Sequence, residues 1–315
     1  MSVALGAREG RRQNLWPSLP LSEWKDSLNT LHRWTQIVGK TRLALAAPLN
    51  HWWHVTLYPT ARGLTTSPMP HVGVTFEVEF DFIFHRLVIR ASDGRTSSLA
   101  LGPRTVSDFD QEYLSLLDSL DLKVRLRPVP SEMEDTLAFT EDRQHASYDP
   151  EYTNRCWTIL GHANRVLQEF RGRFIGKCSP VHFFWGGFDL ACTRFSGRKA
   201  PPHPGGVPNL PDRVAREAYS HECISAGWWP GGGPLPEPTF YSYIYPEPPG
   251  FSKAAVRPAE AFYHAELREF ILPYDAVRSA RDPDRVLLDF LQTTYEAGAT
   301  SAKWDRPSLE QPVKE

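Results

Sequence analysis

The residues with the clearest chemical potential are histidines and carboxylates at helix or strand spacing. Glu217 and His221 stand four apart in a segment that reads as a helix from Asp212 to Cys223. That spacing puts both on one helix face, as a metal-ligand pair requires. His264 and Glu266 stand two apart in an expected strand from Phe262 to Leu267, so they share a face of the sheet. Two histidines and a carboxylate around an open position are how mononuclear iron and zinc enzymes hold a divalent transition metal. Glu217, His221 and His264 are therefore the candidate metal ligands, and His182, His264 and Glu266 the candidate catalytic groups. The same residues would serve equally as solvated polar faces. His51 and His54 bracket Trp52-Trp53; in a strand they face opposite sides, so a shared metal needs a turn or bulge at the tryptophans. The competing reading is a histidine hydrogen-bonded within an aromatic core.

A second set is cationic. Arg171, Arg173, Lys177 and Arg194, with Lys40, Arg42 and Arg62, suit recognition of a carboxylate or phosphate on a small anionic ligand. The alternative is a series of surface ion pairs contributing about 0 to 1 kcal/mol each. Tyr241, Tyr243 and Tyr245 alternate with Phe240, Ser242 and Ile244, which makes a stripe of phenols suited to a pocket wall, Tyr243 foremost, or to cross-strand packing. Trp228 and Trp229, flanked by glycines, read as a mobile aromatic cover over the ligand or as a homodimer contact.

These residues must be positioned by a fold. Trp24, Leu28, Leu31, Trp34 and Ile37 recur at helical spacing after Ser22. A second helix is expected after Asp149 as cap and Pro150 at the first helical position, with Trp157, Leu160, Val166, Leu167 and Phe170 on its buried side. Phe76 to Phe84 alternates as a strand, His85 to Arg90 reads as its neighbour, and Asp93-Gly94 marks a hairpin into Ser97 to Leu101. Further helical patterns run from Asp108 to Leu120 and from Asp282 to Tyr295.

At one constant offset, Lys40, Arg42 and His51-Trp52-Trp53 fall on Arg171, Arg173 and His182-Phe183-Phe184. Phe76 to Phe84 then corresponds to Phe240 to Tyr245, and Leu99 to Pro103 to Phe270 to Pro273. The ordered series predicts an α+β protein built from two tandem, pseudo-equivalent helix/antiparallel-sheet/helix modules that form one compact body. The expected divisions are a flexible arm over 1–20, a first module over 21–128, a linker over 129–148 and a second module over 149–310. Within the second, residues 197–238 read as an insertion rich in proline and glycine, the place to look for a lid.

In 315 residues, 41% apolar and 12% aromatic side chains are ample for a large core. A formal net charge of −2 gives no general attraction to nucleic acid or to an anionic membrane, and no apolar run is long enough to span a bilayer. Four cysteines without a Cys-x-x-Cys pair indicate neither a zinc ribbon nor a disulfide framework. The expected compartment is the cytoplasm. No Gly-x-Ser-x-Gly elbow, His-Glu-x-x-His, dinucleotide or Walker loop, kinase or deaminase signature occurs.

The segment Gly176-Lys177-Cys178-Ser179-Pro180-Val181-His182-Phe183-Phe184-Trp185-Gly186 is long and distinctive. So are Pro202-His203-Pro204-Gly205-Gly206, Ala218-Tyr219-Ser220-His221-Glu222, and Leu31-His32-Arg33-Trp34-Thr35-Gln36-Ile37-Val38-Gly39-Lys40. In these motifs the chain resembles a bacterial family of unknown function, from about Trp16 to Glu310. The resemblance implies a single-domain protein and carries over no catalytic residue. The functional expectation is an enzyme acting on a small anionic molecule in a cleft between the modules, by metal-dependent oxidation or lyase chemistry. The alternative is a noncatalytic module binding a metabolite or another protein.

Overall fold

The computed structural model describes residues 15–311. Helix α1 (Leu21–Leu45) is buried along most of its length, including Trp24, Leu28, Leu31, Trp34 and Ile37. A short 3-10 segment, Asn50–Val55, leads into the first sheet. Its strands are β1 (Tyr58–Pro59), β2 (Gly63–Thr65), β3 (Met69–His71), β4 (Val74–Asp81), β5 (Arg86–Ala91) and β6 (Thr96–Ala100). All pair antiparallel in the order β1-β2-β4-β5-β6, with β3 also on β4. Helix α2 (Val106–Ser119) follows, its N-terminus capped by Thr105. The alternation from Phe76 stops at Asp81 rather than running to Phe84. The reason is local: the Asp81 carboxylate accepts the backbone N–H groups of Ile83 and Phe84, both at 3.0 Å, and closes a turn.

The second half opens with α3 (Pro150–Gly172), capped by the Asp149 side chain as its sequence suggests. Then come β7 (His182–Phe184), β8 (Asp189–Lys199), α4 (Asp212–Ala218), β9 (His221–Trp229), β10 (Thr239–Tyr245), β11 (Phe262–His264) and β12 (Glu269–Pro273). Helices α5 (Tyr274–Arg278), α6 (Pro283–Ser301) and α7 (Arg306–Leu309) complete the chain. The second sheet is also antiparallel, ordered β11-β12-β10-β9-β8-β7. The α+β class with antiparallel sheet follows from these connections. The strand orders of the two sheets differ: β5 lies between β4 and β6, whereas β11 lies outside β12. Facing edges of the sheets are joined where Leu57 and Phe183 exchange backbone hydrogen bonds, both 2.9 Å.

One hydrophobic cluster runs from Trp16 to Trp304 and draws on both sheets. Trp16 and Leu19 belong to it, so the end of the expected N-terminal arm is core, while its residues 1–14 lie outside the described residues. The segment 197–238 is not a purely irregular insertion, because it contains α4 and all of β9. Residues 129–148 form no regular element, yet they are clamped to α1. Arg33, fully buried, pairs with Asp135 at 2.5 Å and Asp142 at 3.1 Å. No helix among the described residues is long and apolar enough to cross a membrane.

Candidate functional site

Strand alternation gives the second sheet two faces with different fates. On one, Leu190, Ile224, Ala226, Trp228, Phe240, Ile244 and Leu272 are buried in the hydrophobic cluster that includes α3 and α6. On the other stand Asp189, Thr193, Ser225, Tyr241, Tyr243 and Glu269, all bordering open space. Above this second face sit α4 and the loop before it, Trp52 and Trp53, Trp185 and Gly186, Lys40 of α1, and Glu132. The result is a cavity of about 390 Å³ beneath the roof and a wider cleft of about 650 Å³ toward β12. Asp189, Tyr219, Tyr241 and Tyr243 border both.

The roof is fixed by a polar stripe on an otherwise buried helix. His32, Gln36 and Lys40 recur every four residues on α1 and so share one face. His32 Nε2 lies 3.0 Å from the Trp185 carbonyl and 2.8 Å from that of Gly186. The Gln36 amide donates to the Ser131 carbonyl at 2.9 Å and accepts the Ser131 N–H at 2.8 Å, imitating a strand partner. Lys40 Nζ donates to Ser131 Oγ at 2.9 Å. Between these residues, Gly39 lets the Trp185 ring lie on the helix: a Cβ there would stand 2.3 Å from Cδ1 of that ring. One helix therefore holds both the Ser131-Glu132 and the Trp185-Gly186 walls.

Three carboxyls face the cavity system. Glu132 is an exposed residue overall, yet desolvation of its carboxyl, reinforced by the charge of Asp189, pushes it up to about 7. Burial raises Asp189 itself to about 6 against a hydrogen bond from the Tyr241 hydroxyl. Burial and again Asp189 raise Glu269 to about 8. Lys40, lowered to about 8 chiefly by burial, lies 5.3 Å from the centre of the Trp185 ring. Acids and an amine that exchange protons near neutrality are what general acid–base chemistry uses. Hydroxyl pairs extend the polar surface: Tyr219 with Tyr243 at 2.7 Å, Thr193 with Ser225 at 2.9 Å.

The backbone around the cavity is held in conformations that L residues avoid. His51, Trp52 and Glu132 have φ of 58°, 61° and 59°, in the left-handed region. Such strain persists where surrounding contacts enforce it, and it concentrates at functional sites. Here the enforcing contacts are visible at His51. Its Nε2 accepts from Lys177 Nζ at 2.7 Å while Nδ1 donates to the Ala218 carbonyl at 2.8 Å, so the turn is tied both to the segment before β7 and to α4.

The model of a family described as a family of unknown function, DUF5996, matches residues 16–311. The chain belongs to DUF5996. No curated protein and no solved structure matches it. Three of the motifs that carry the resemblance supply walls of the cavity in this DUF5996 member: Lys40 from the α1 motif, Trp185-Gly186 and Ala218-Tyr219.

The residues singled out from sequence spacing are dispersed differently in this DUF5996 protein. Helix α4 ends at Ala218 and a strand begins at His221, so Glu217 and His221 do not share a helix face. Strand β11 ends at His264, which leaves Glu266 in the following turn; the carboxyl opposite His264 in the sheet is Glu269. His264 lies three strands from His221. Among the described residues, no three His, Cys, Asp or Glu side chains gather as a metal site. His182 is buried in an aromatic cage of Trp53, Tyr58 and Phe184, with both ring nitrogens unpartnered. Burial lowers its pKa to about 3, helped by the charges of Arg42 and Arg171, so it stays neutral.

Of the cationic set, Lys40 reaches the cavity and Lys177 stands behind its roof, 5.3 Å from the Trp53 ring centre. Arg171 donates to the Ser179 carbonyl at 2.7 Å, and Arg173 pairs with Glu169 on the surface. Arg194 is on the other face of the sheet, fully buried between the rings of Phe170 and Tyr295. Trp228 is likewise buried on that face, whereas Trp229 borders the cleft. The glycine before Trp228 serves close approach rather than hinging, because a Cβ on Gly227 would stand 2.0 Å from the Leu190 carbonyl and 2.7 Å from the Tyr241 hydroxyl. Tyr243 lines the cavity. Spacing did not reveal Glu132, Asp189 and Glu269. A signal existed only for Lys40, as the last member of a polar stripe at helical period.

Proposed function

We propose that this protein is a cytoplasmic enzyme performing general acid–base chemistry on a small molecule held beneath α4, between elements of its two halves. The observation that supports the reading best is the convergence of Glu132, Asp189 and Lys40 on one aromatic-walled cavity, with Glu269 on the adjoining cleft, each poised to exchange a proton near neutral pH. Lys40, Arg127 and Arg213 at the rim suit an anionic group on the substrate. Trp52, Trp53, Phe184 and Phe195 would cover its apolar part and exclude water. Glu132, which lines the cavity, is the proton-transfer group, and the Asp189–Tyr241 pair orients the substrate. Descent of the two helix-sheet-helix halves from one duplicated unit belongs to the same proposal; their shared element order supports it.

A noncatalytic metabolite-binding role is the second reading. It is favoured by the prior engagement of Asp189 with Tyr241, which suits holding a ligand more than moving its protons. A metabolite library screened by thermal shift, then assayed for turnover, separates the two. With a substrate in hand, Glu132→Gln is expected to lower kcat by about 100-fold or more while the substrate Kd changes little. Stabilisation by a ligand that is never transformed, and is bound equally by Glu132→Gln, would establish the second reading instead.

A further inference from the structure

Away from the cavity, two cysteines meet on the helix-covered side of the second sheet. The segment before β7 runs antiparallel to β8: Phe195 N–H donates to the Lys177 carbonyl at 3.0 Å and Ser179 N–H to the Thr193 carbonyl at 2.8 Å. That register brings Cys178 Sγ to 3.7 Å from Cys192 Sγ. Cys178 is partly exposed, whereas Cys192 is buried, as are Cys156 and Cys223.

The setting of Arg194 gives this pair chemical meaning. A buried guanidinium ordinarily requires a carboxylate, since an uncompensated charge is costly away from water. Arg194 forms no ion pair among the described residues; Nη2 donates to the Phe170 carbonyl while Nε and Nη1 have no hydrogen-bond partner. Its charge is felt instead at the thiols. The Cys178 thiol is lowered by its hydrogen bond to Cys192, against the opposing effect of burial and with the help of the Arg194 and Arg171 charges. Thiolate at an accessible cysteine beside a second cysteine is the arrangement that undergoes thiol–disulfide exchange.

We propose that Cys178 and Cys192 form a reversible intramolecular disulfide by exchange with a low-molecular-weight disulfide. The Cys178 thiolate attacks one sulfur of the small disulfide, forming a mixed disulfide and releasing one thiolate. Cys192, whose proton passes to the thiolate released in the first step, then attacks Cys178 Sγ and expels the second. The protein loses two electrons and two protons, and the small disulfide leaves as two thiols. Closure removes the thiol that the neighbouring Arg194 charge favours in its ionised form, which works against the bond and keeps it reducible. It also pins the Lys177–Ser179 segment to β8, and through Lys177 the His51 turn above the cavity.

The test uses the full chain, reduced and then equilibrated with excess glutathione disulfide. Two of the four thiols should be lost to alkylation, with no glutathione retained and a peptide cross-link between Cys178 and Cys192. Excess reduced glutathione should restore both. Cys192→Ser should stop with one glutathione on Cys178. Persistence of all four thiols in the native chain, a stable glutathione adduct on wild-type Cys178, or a cross-link through Cys156 or Cys223 would each overturn the proposal.

Discussion

A carboxyl whose surroundings tighten its hold on the proton trades stability for readiness to react. Asp189 is the clearest case, with a folded-state pKa of about 6 against an ordinary 3.8. A raised carboxyl pKa means that the folded state binds the proton more tightly. The associated stability is complete when the group is protonated in both states, below its ordinary pKa, and is lost as pH rises through 6. At about pH 8 the cost approaches an upper bound of about 3 kcal/mol. Asp189→Asn keeps an acceptor for the Tyr241 hydroxyl and removes the charge. It is therefore expected to be more stable than wild type at about pH 8, with the advantage gone near pH 4. Urea denaturation at several pH values measures this, and a gain independent of pH would contradict the assignment.

At the scale of elements, the decisive part is α1, whose apolar residues enter the core while its polar stripe holds two cavity walls. Its glycine separates helix propensity from packing. Alanine at position 39 would favour the isolated helix by about 1 kcal/mol, but overpacking typically costs about 1–3 kcal/mol, and the aromatic ring 2.3 Å away cannot shift without moving the roof. Gly39→Ala should thus be destabilising by up to about 2 kcal/mol net. Trp185 Nε1, now 2.6 Å from the Val55 carbonyl, should lose that bond, visible as a change in tryptophan fluorescence or indole NMR shift. An unchanged Trp185 signal with raised stability would show that the ring has room. Much of α1 was legible from its period, although it starts at Leu21 after Pro20 with no side-chain cap rather than after the Ser22 expected as its cap; the Asp149 cap of α3 stands where the sequence puts it. The end of α4 was not, because the Glu217 and His221 spacing fits a helix equally well and strand pairing of β9 overrode it.

Across the whole molecule, the two halves share one hydrophobic cluster and a backbone seam at Leu57 and Phe183. The intervening residues 129–148 act as a strap, not a free tether, because Arg33 anchors them at Asp135 and Asp142. Removing one member of a buried ion pair costs about 3–5 kcal/mol. Arg33→Gln is expected to lose that much and to release the Ser131-Glu132 wall, so proteolysis within 129–148 should accelerate well beyond the change for a surface Arg173→Gln control. Equal protection in both variants would mean that Gln36 and Lys40 suffice to hold the strap. A shared core also predicts one calorimetric transition; two resolved transitions would divide the halves energetically.

The sequence by itself determined what depends on neighbours along the chain. The helices at 21–45 and 150–172, the hairpin at Asp93-Gly94, the phenol stripe of β10 and the antiparallel α+β class all follow from period, caps and short connections. Only the tertiary structure decided which charges meet. Glu132 in a segment without periodicity, Asp189 at a strand start and Glu269 beyond a turn share a cavity system because α1 clamps the first over the sheet that carries the other two. Arg194 and Trp228, one residue out of phase with that face, are buried beneath it. A period of two fixes that successive side chains part; which face meets helices and which meets open space is settled only when distant segments close over the sheet.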